Sequence, residues 1–214
     1  MSKLLEAALQ YEHDWYNARR RARLKNRDFT IISSNCVGTI IYYDMGLPYL
    51  TPTINLAISM RDLVKMAGNL RWYMEQELVE AQDGGKCPAG WLGGIRINFV
   101  HYDTFGEGAA CWERRKKRIN WDNIVLMGTE RDDCDYAVLK SFDQLPYPNK
   151  VVFTHIAYPE LSSACYIKGF EDQEEIGTVT NYRPRPLGIR RRYMDAFDYV
   201  AFLNRAKEDR HGAV

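Results

Sequence analysis

The chain has 214 residues, 46% of them hydrophobic and 27% charged, with a formal net charge of +1. That balance suits one globular domain with a sizeable core, and near-neutrality argues against wholesale nucleic-acid binding while leaving room for a local basic patch. No apolar run approaches the ~20 residues of a membrane-spanning helix, and the charged N-terminal stretch lacks the apolar core of a signal peptide, so a cytoplasmic protein, at most peripheral to a membrane, is expected.

Residues 2–25 form the first predicted helix. They contain no Pro or Gly, and Leu4, Leu5, Ala8, Tyr11 and Trp15 recur at helical spacing. Its second half carries Arg19, Arg20, Arg21, Arg23 and Lys25, which suit a helix C-terminus. A solvated helix end is the plainer reading, an anion-binding or membrane-surface role the sharper one.

The apolar, β-branched run 29–34 is predicted as a buried strand. It passes through Ser33-Ser34-Asn35-Cys36 into a helix that ends at Gly46, with Pro48 barring continuation. Residues 54–58 read as a short strand and 61–81 as an amphipathic helix, broken by Asp83-Gly84-Gly85. The run 95–102 is a second strand, with the polar His101 and Asp103 at its end. A helix over 107–118, a strand over 124–127, a helix over 132–142, a strand over 150–155 ending at His155, a strand over 165–170, a loop over 183–188 and a closing helix over 192–207 complete the pattern. Strands alternating with helices predict an α/β fold: a single domain over 1–214, Rossmann-like and three-layered, with a mostly parallel sheet flanked by helices.

Five cysteines (Cys36, Cys87, Cys111, Cys134 and Cys165) are widely spaced with no Cys-x-x-Cys pair. Reduced thiols are the simplest reading. None of the four histidines has close ligand spacing to a cysteine, so no metal site is expected. There is no Walker A motif, and Gly84-Gly85 and Gly93-Gly94 are isolated pairs rather than a dinucleotide fingerprint.

In open α/β sheets ligands bind just past the carboxyl ends of strands, which makes the 33–36 turn the candidate active centre. Cys36 at a helix N-terminus is placed for thiolate stabilisation and attack on an acyl donor, against the competing reading of a buried structural thiol. Ser34 (with Ser33) is the reserve nucleophile. Asn35 either donates to a developing oxyanion or caps the helix. His101 is the candidate general base, His155 a second strand-end histidine of the same kind, while His13 and His211 carry no such argument. Arg114, Arg115, Lys116, Lys117 and Arg118 form a run of adjacent cations leading into Asn120 and Asp122. The run either holds the phosphates of a donor or is a solvated helix face, with Asp122 making turn hydrogen bonds.

The blocks FTIISSNCVGTIIYYDMGLPYLTPTINL, INFVHY, CWERRKKRINWDN and NKVVFT, in that order, resemble an uncharacterised bacterial family labelled exopolysaccharide biosynthesis proteins, found among capsule and cell-surface polysaccharide genes. Where that family has two asparagines before Cys-Trp-Gly-Gly, this chain has Ser34-Asn35-Cys36-Val37-Gly38-Thr39, which keeps Asn35, Cys36 and Gly38. The Asn-Cys turn is also similar to the Gly-Asn-Cys turn of capsule polysaccharide acetyltransferases. The resemblance implies a pathway: a transferase acting on a carbohydrate or sugar precursor. An acyltransferase using acetyl-coenzyme A is the first expectation. A glycosyltransferase-like enzyme using a nucleotide-sugar, or a non-catalytic binding protein of the same machinery, is the alternative.

Overall fold

The computed structural model describes residues 3–184 and 191–208. Helix α1 (Lys3–Arg23) leads to strand β1 (Thr30–Ser33) and helix α2 (Val37–Met45). Helices α3 (Met60–Gly68) and α4 (Leu70–Glu75) follow, then strands β2 (Leu78–Glu80), β3 (Ala89–Leu92) and β4 (Ile95–Asn98). Helix α5 (Phe105–Lys116), strand β5 (Ile124–Thr129), helix α6 (Tyr136–Asp143), strands β6 (Lys150–Thr154) and β7 (Ala164–Tyr166), a 3-10 turn (Tyr193–Ala196) and helix α7 (Tyr199–Glu208) complete the order.

The main sheet is parallel throughout, in the order β1-β5-β6-β7. Strand side chains alternate between two faces, and the two cores follow that alternation. Ile31, Val125, Met127, Val151 and Phe153 join α2 and α7 residues such as Ile41, Tyr42, Val200 and Leu203. Ile32, Leu126 and Val152 point the other way, to Leu63 and Met66 of α3, Trp112 of α5 and Leu139 and Phe142 of α6. The result is a mixed α/β fold with helices on both faces of the sheet. Every residue of β5 is buried, as a central parallel strand covered on both sides requires.

A small antiparallel sheet, β2-β3-β4, sits beside it. The predicted strand 95–102 is therefore shorter than its apolar run and lies outside the parallel sheet: it pairs only to Asn98, and Phe99 instead fills the core from a turn, its ring close enough to Gly108 that a Cβ there would lie 2.5 Å from it. The predicted helix 61–81 divides at Asn69 and stops at Gln76, and its last residues are β2. Residues 54–58 form one isolated bridge, Ala57 to Asn98, instead of a strand. The predicted loop 183–188 lies partly outside the described residues, and His211 wholly so.

β1 is an edge strand, and its outer side is covered by side chains. Thr53 Oγ1 accepts from Ser33 N (3.1 Å) and donates to Ile31 O (3.2 Å), replacing a strand partner. On α2, the buried Tyr42 hydroxyl donates to Phe29 O (2.8 Å) and accepts from Ile31 N (3.2 Å), and a Cβ at Gly38 would meet Ser33 Oγ at 2.8 Å. Helix and strand are thus pressed together, which fixes the turn between them. Among the described residues no helix is long and apolar enough to cross a membrane.

Candidate functional site

A cleft of about 290 Å³ opens at the carboxyl edge of the parallel sheet, where open α/β sheets place their ligands. Asn35 and Cys36 line it from the β1–α2 turn, His101 from the turn after β4, Arg131 from just past β5, and residues 177–180 close one side.

His101 arrives by a route that strand-end logic did not foresee. Ser34 O accepts from Ile58 N (2.8 Å), and Ala57 exchanges two backbone hydrogen bonds with Asn98 (2.8 and 2.9 Å). The adjacent residues Ala57 and Ile58 therefore form a bridge, Ile58 tied to the β1 turn and Ala57 to the end of β4, and the turn that follows β4 carries the exposed His101 into the cleft.

The β1 turn is tied to β5 through Thr129. Asn35 Nδ2 donates to Thr129 Oγ1 (2.8 Å), and Thr129 N donates to Ser34 Oγ (3.2 Å). Asn35 Oδ1 accepts from Val37 N (3.1 Å), so the side chain caps α2 while one amide N–H remains for a ligand. Ser34 is buried and engaged with Thr129, and it is not among the cleft-lining residues. Cys36 is the N-cap residue of α2, and its thiol makes no capping hydrogen bond. Burial pushes the Cys36 thiol above the ordinary thiol range, opposing the thiolate stabilisation expected of a helix N-terminus.

The basic run lies elsewhere. Arg115 donates to Tyr102 Oη (2.6 Å) and stands over the Tyr49 ring, and Lys116 pairs with Glu113 (2.7 Å). Arg114 contacts Cys111 Sγ (3.2 Å), and Lys117 and Arg118 are exposed. Asn120 N donates to Thr30 Oγ1 (2.8 Å), and Asn120 Oδ1 accepts from Asp122 N (3.1 Å). These two residues build the turn that enters β5 at the opposite edge of the sheet, about 20 Å from the cleft by strand rise. None of Arg114, Arg115, Lys117, Arg118, Asn120 or Asp122 lines the cleft.

The cation in the cleft is Arg131. Its Nη1 donates to Thr178 Oγ1 (3.3 Å), and its Nε lies 3.6 Å from Glu175 Oε1 without a hydrogen bond. The next two residues, Asp132 and Asp133, both hold left-handed backbone (φ 57° and 62°), an arrangement that non-glycine residues adopt at a cost and that gathers at functional loops.

Beside the cleft, on the α3/α6 side of β5, lies a second polar cluster. Glu130 is 3% exposed. Its carboxylate accepts from His155 N (2.9 Å) and Tyr158 Oη (2.7 Å), and lies 2.6 Å from His155 Nδ1. Tyr158 is pushed up by burial and by Glu130, and the Cys134 thiol is pushed up to about 12 by burial and then by the Glu130 and Asp135 charges. Among the described residues no group of three His, Cys, Asp or Glu is placed to hold a metal. Sequence reasoning missed Thr129, Glu130, Arg131 and the 177–180 wall. The first three were within reach, because Thr129-Glu130-Arg131-Asp132-Asp133 is a polar burst directly after an apolar run, the same signature that marked 33–36.

The chain belongs to the family described as domain of unknown function DUF1919, which it matches over residues 8–204. It is 36% identical over 204 residues to a Haemophilus influenzae protein described as an uncharacterized protein, a match that spans 95% of this chain and 98% of that one.

Proposed function

We propose that this DUF1919 protein is a transferase of surface or exopolysaccharide biosynthesis that moves an acyl group, acetyl in the simplest case, onto a hydroxyl of a glycan or sugar precursor. The carrying observation is the convergence on one cleft of Asn35 and Cys36 from the β1–α2 turn, His101 from the turn after β4 and Arg131 from just past β5. The pathway rests on the resemblance of the sequence blocks.

His101 is exposed at the cleft and takes the proton of the acceptor hydroxyl. The carbonyl oxygen of the donor develops negative charge, which the remaining N–H of Asn35 and the N-terminal turn of α2 are placed to receive. Arg131 meets a phosphate of the donor, acetyl-coenzyme A in this reading. Because burial disfavours the Cys36 thiolate, the acyl group passes directly from donor to acceptor: the ester C–O bond forms, the thioester C–S bond breaks, the coenzyme A thiolate leaves and takes the proton held by His101, and Cys36 shapes the cleft wall.

Acetyl transfer from acetyl-coenzyme A to a panel of sugars and sugar nucleotides tests this. His101→Ala should lower kcat by roughly 10²–10⁴-fold, and Arg131→Ala should act mainly on KM, while Cys36→Ala keeps most activity. Full activity in both His101→Ala and Asn35→Ala rejects the assignment. A second reading, glycosyl transfer from a nucleotide-sugar, is favoured by Arg131 being the one basic side chain among Arg and Lys to line the cleft among the described residues, since it suits a diphosphate as well as a coenzyme. Stabilisation by nucleotide-sugars and not by acetyl-coenzyme A in a thermal-shift screen selects that reading.

A further inference from the structure

Away from the cleft, one face of α1 and Arg191 enclose a second cavity of about 320 Å³. Its lining is Trp15, Tyr16, Arg19, Arg20, Arg23 and Arg191: four guanidiniums, two aromatic rings and no carboxylate. Positions 15, 19 and 23 are spaced by four and share one face of the helix.

These arginines are oriented. Arg20 is buried, with Nη1 donating to Asp195 Oδ1 (2.7 Å) and to Tyr199 Oη (2.9 Å). Its guanidinium lies 4.0 Å from the Tyr16 ring centre, and that of Arg191 lies 3.4 Å from the same ring. Arg19 stands 4.7 Å from the Trp15 ring centre, and Arg23 pairs with Asp198. The Asp195 and Asp198 carboxylates sit outside the lining and hold Arg20 and Arg23 from behind, while the Trp15 and Tyr16 rings lie against Arg19 and Arg191. Planar donors fixed around one space match the oxygens of phosphate groups. The volume falls at the lower end of the range for small-molecule sites, and Trp15, 46% exposed, offers an apolar face to whatever the phosphate carries.

The geometry points to a second ligand site on α1, separate from the cleft, that binds a phosphate- or diphosphate-bearing compound. The phosphate is either soluble or part of a lipid headgroup. Tyr11, 75% exposed and one turn before Trp15, continues the aromatic edge of the site in the manner of interfacial helices.

Calorimetric titration of the full chain with inorganic pyrophosphate, and flotation with phosphatidylcholine vesicles with and without phosphatidic acid, test the site in two arms. Binding of pyrophosphate assigns a soluble ligand. Recruitment to phosphatidic acid vesicles alone assigns a headgroup. In whichever arm binds, Arg19→Gln together with Arg191→Gln should weaken binding by about 10-fold or more. Should the double variant not fold, Arg19→Gln alone serves, since Arg19 is exposed and stands over the Trp15 ring; it should weaken binding several-fold with an unchanged melting temperature. No binding in either arm, or binding that these substitutions leave unchanged, overturns the site. Neither result touches the cleft assignment, which uses none of these residues.

Discussion

Thr129 holds the candidate site together through one hydroxyl and one amide. Thr129→Val keeps the shape but removes the acceptor for Asn35 Nδ2 and leaves that half-buried donor unmatched. A loss of about 1–3 kcal/mol is expected by urea unfolding, with Thr129→Ser recovering most of it. Equal stability of the Val variant would mean that Asn35 is held by something else. The cysteines give a second residue-scale outcome. With their thiols pushed up by burial, Cys36 and Cys134 hold less thiolate at pH 8 than a small free thiol does. Site-resolved iodoacetamide labelling should find both slow, with rates climbing about tenfold per pH unit until the raised value is reached. Labelling of Cys36 at the rate of a free thiol would restore it as a nucleophile.

At the scale of elements, the cleft depends on close packing behind its 177–180 wall. A Cβ at Gly177 would fall 2.3 Å from the Phe170 ring, a rigid neighbour that can yield only by moving the segment. Gly177→Ala should therefore cost about 1–3 kcal/mol and weaken donor binding by displacing Thr178 from Arg131. Wild-type melting temperature and KM in that variant would show that the wall has slack. The strands β1, β5 and β6 were legible because parallel strands buried on both faces read as unbroken apolar runs. β4 was overextended because Phe99, buried from a turn, reads like a strand residue. β2 was hidden because 78–81 continues the composition and phase of the helix before it. His101 shares a cleft with Cys36 but reaches it from the antiparallel sheet and not from a parallel strand end: the Ala57–Asn98 bridge that delivers it is made by backbone groups, and such contacts leave no trace in side-chain pattern. Arg131 has no compositional signal of its own, being a single cation in a loop, whereas residues 114–118 are five adjacent cations.

For the whole molecule, the decisive feature is a buried charge network joining the two ends of the chain to α2. Asp44 is fully buried; its carboxylate accepts from Arg192 Nη1 (2.5 Å) and lies 3.6 Å from His13 Nε2. Arg21 Nε donates to Asp44 O (2.6 Å), and Arg20 reaches Asp195. Breaking one half of such a pair strands the other charge. Asp44→Ala should cost about 3–5 kcal/mol, and Asp44→Leu with Arg192→Met markedly less; additive losses in this cycle, measured by denaturant unfolding, would show that the pair is not coupled.

The long reach of that network sets a schedule for synthesis. β1 and its turn emerge early, yet their sheet partner β5 begins at Ile124, the far side of the cleft is residues 177–180, and the partner of Asp44 is Arg192. A ribosome-bound chain that stops short of these residues carries Asn35 and Cys36 in the turn that follows an unpaired β1, with the Asp44 carboxylate lacking its Arg192 partner. Such a chain lacks both the walls of the cleft and the charge that neutralises Asp44. The complete cleft is therefore a late product of synthesis, closed only once residues 177–180 and Arg192 have joined the fold, and until β5 pairs with it the β1 edge is open to the intermolecular strand pairing that holding chaperones prevent.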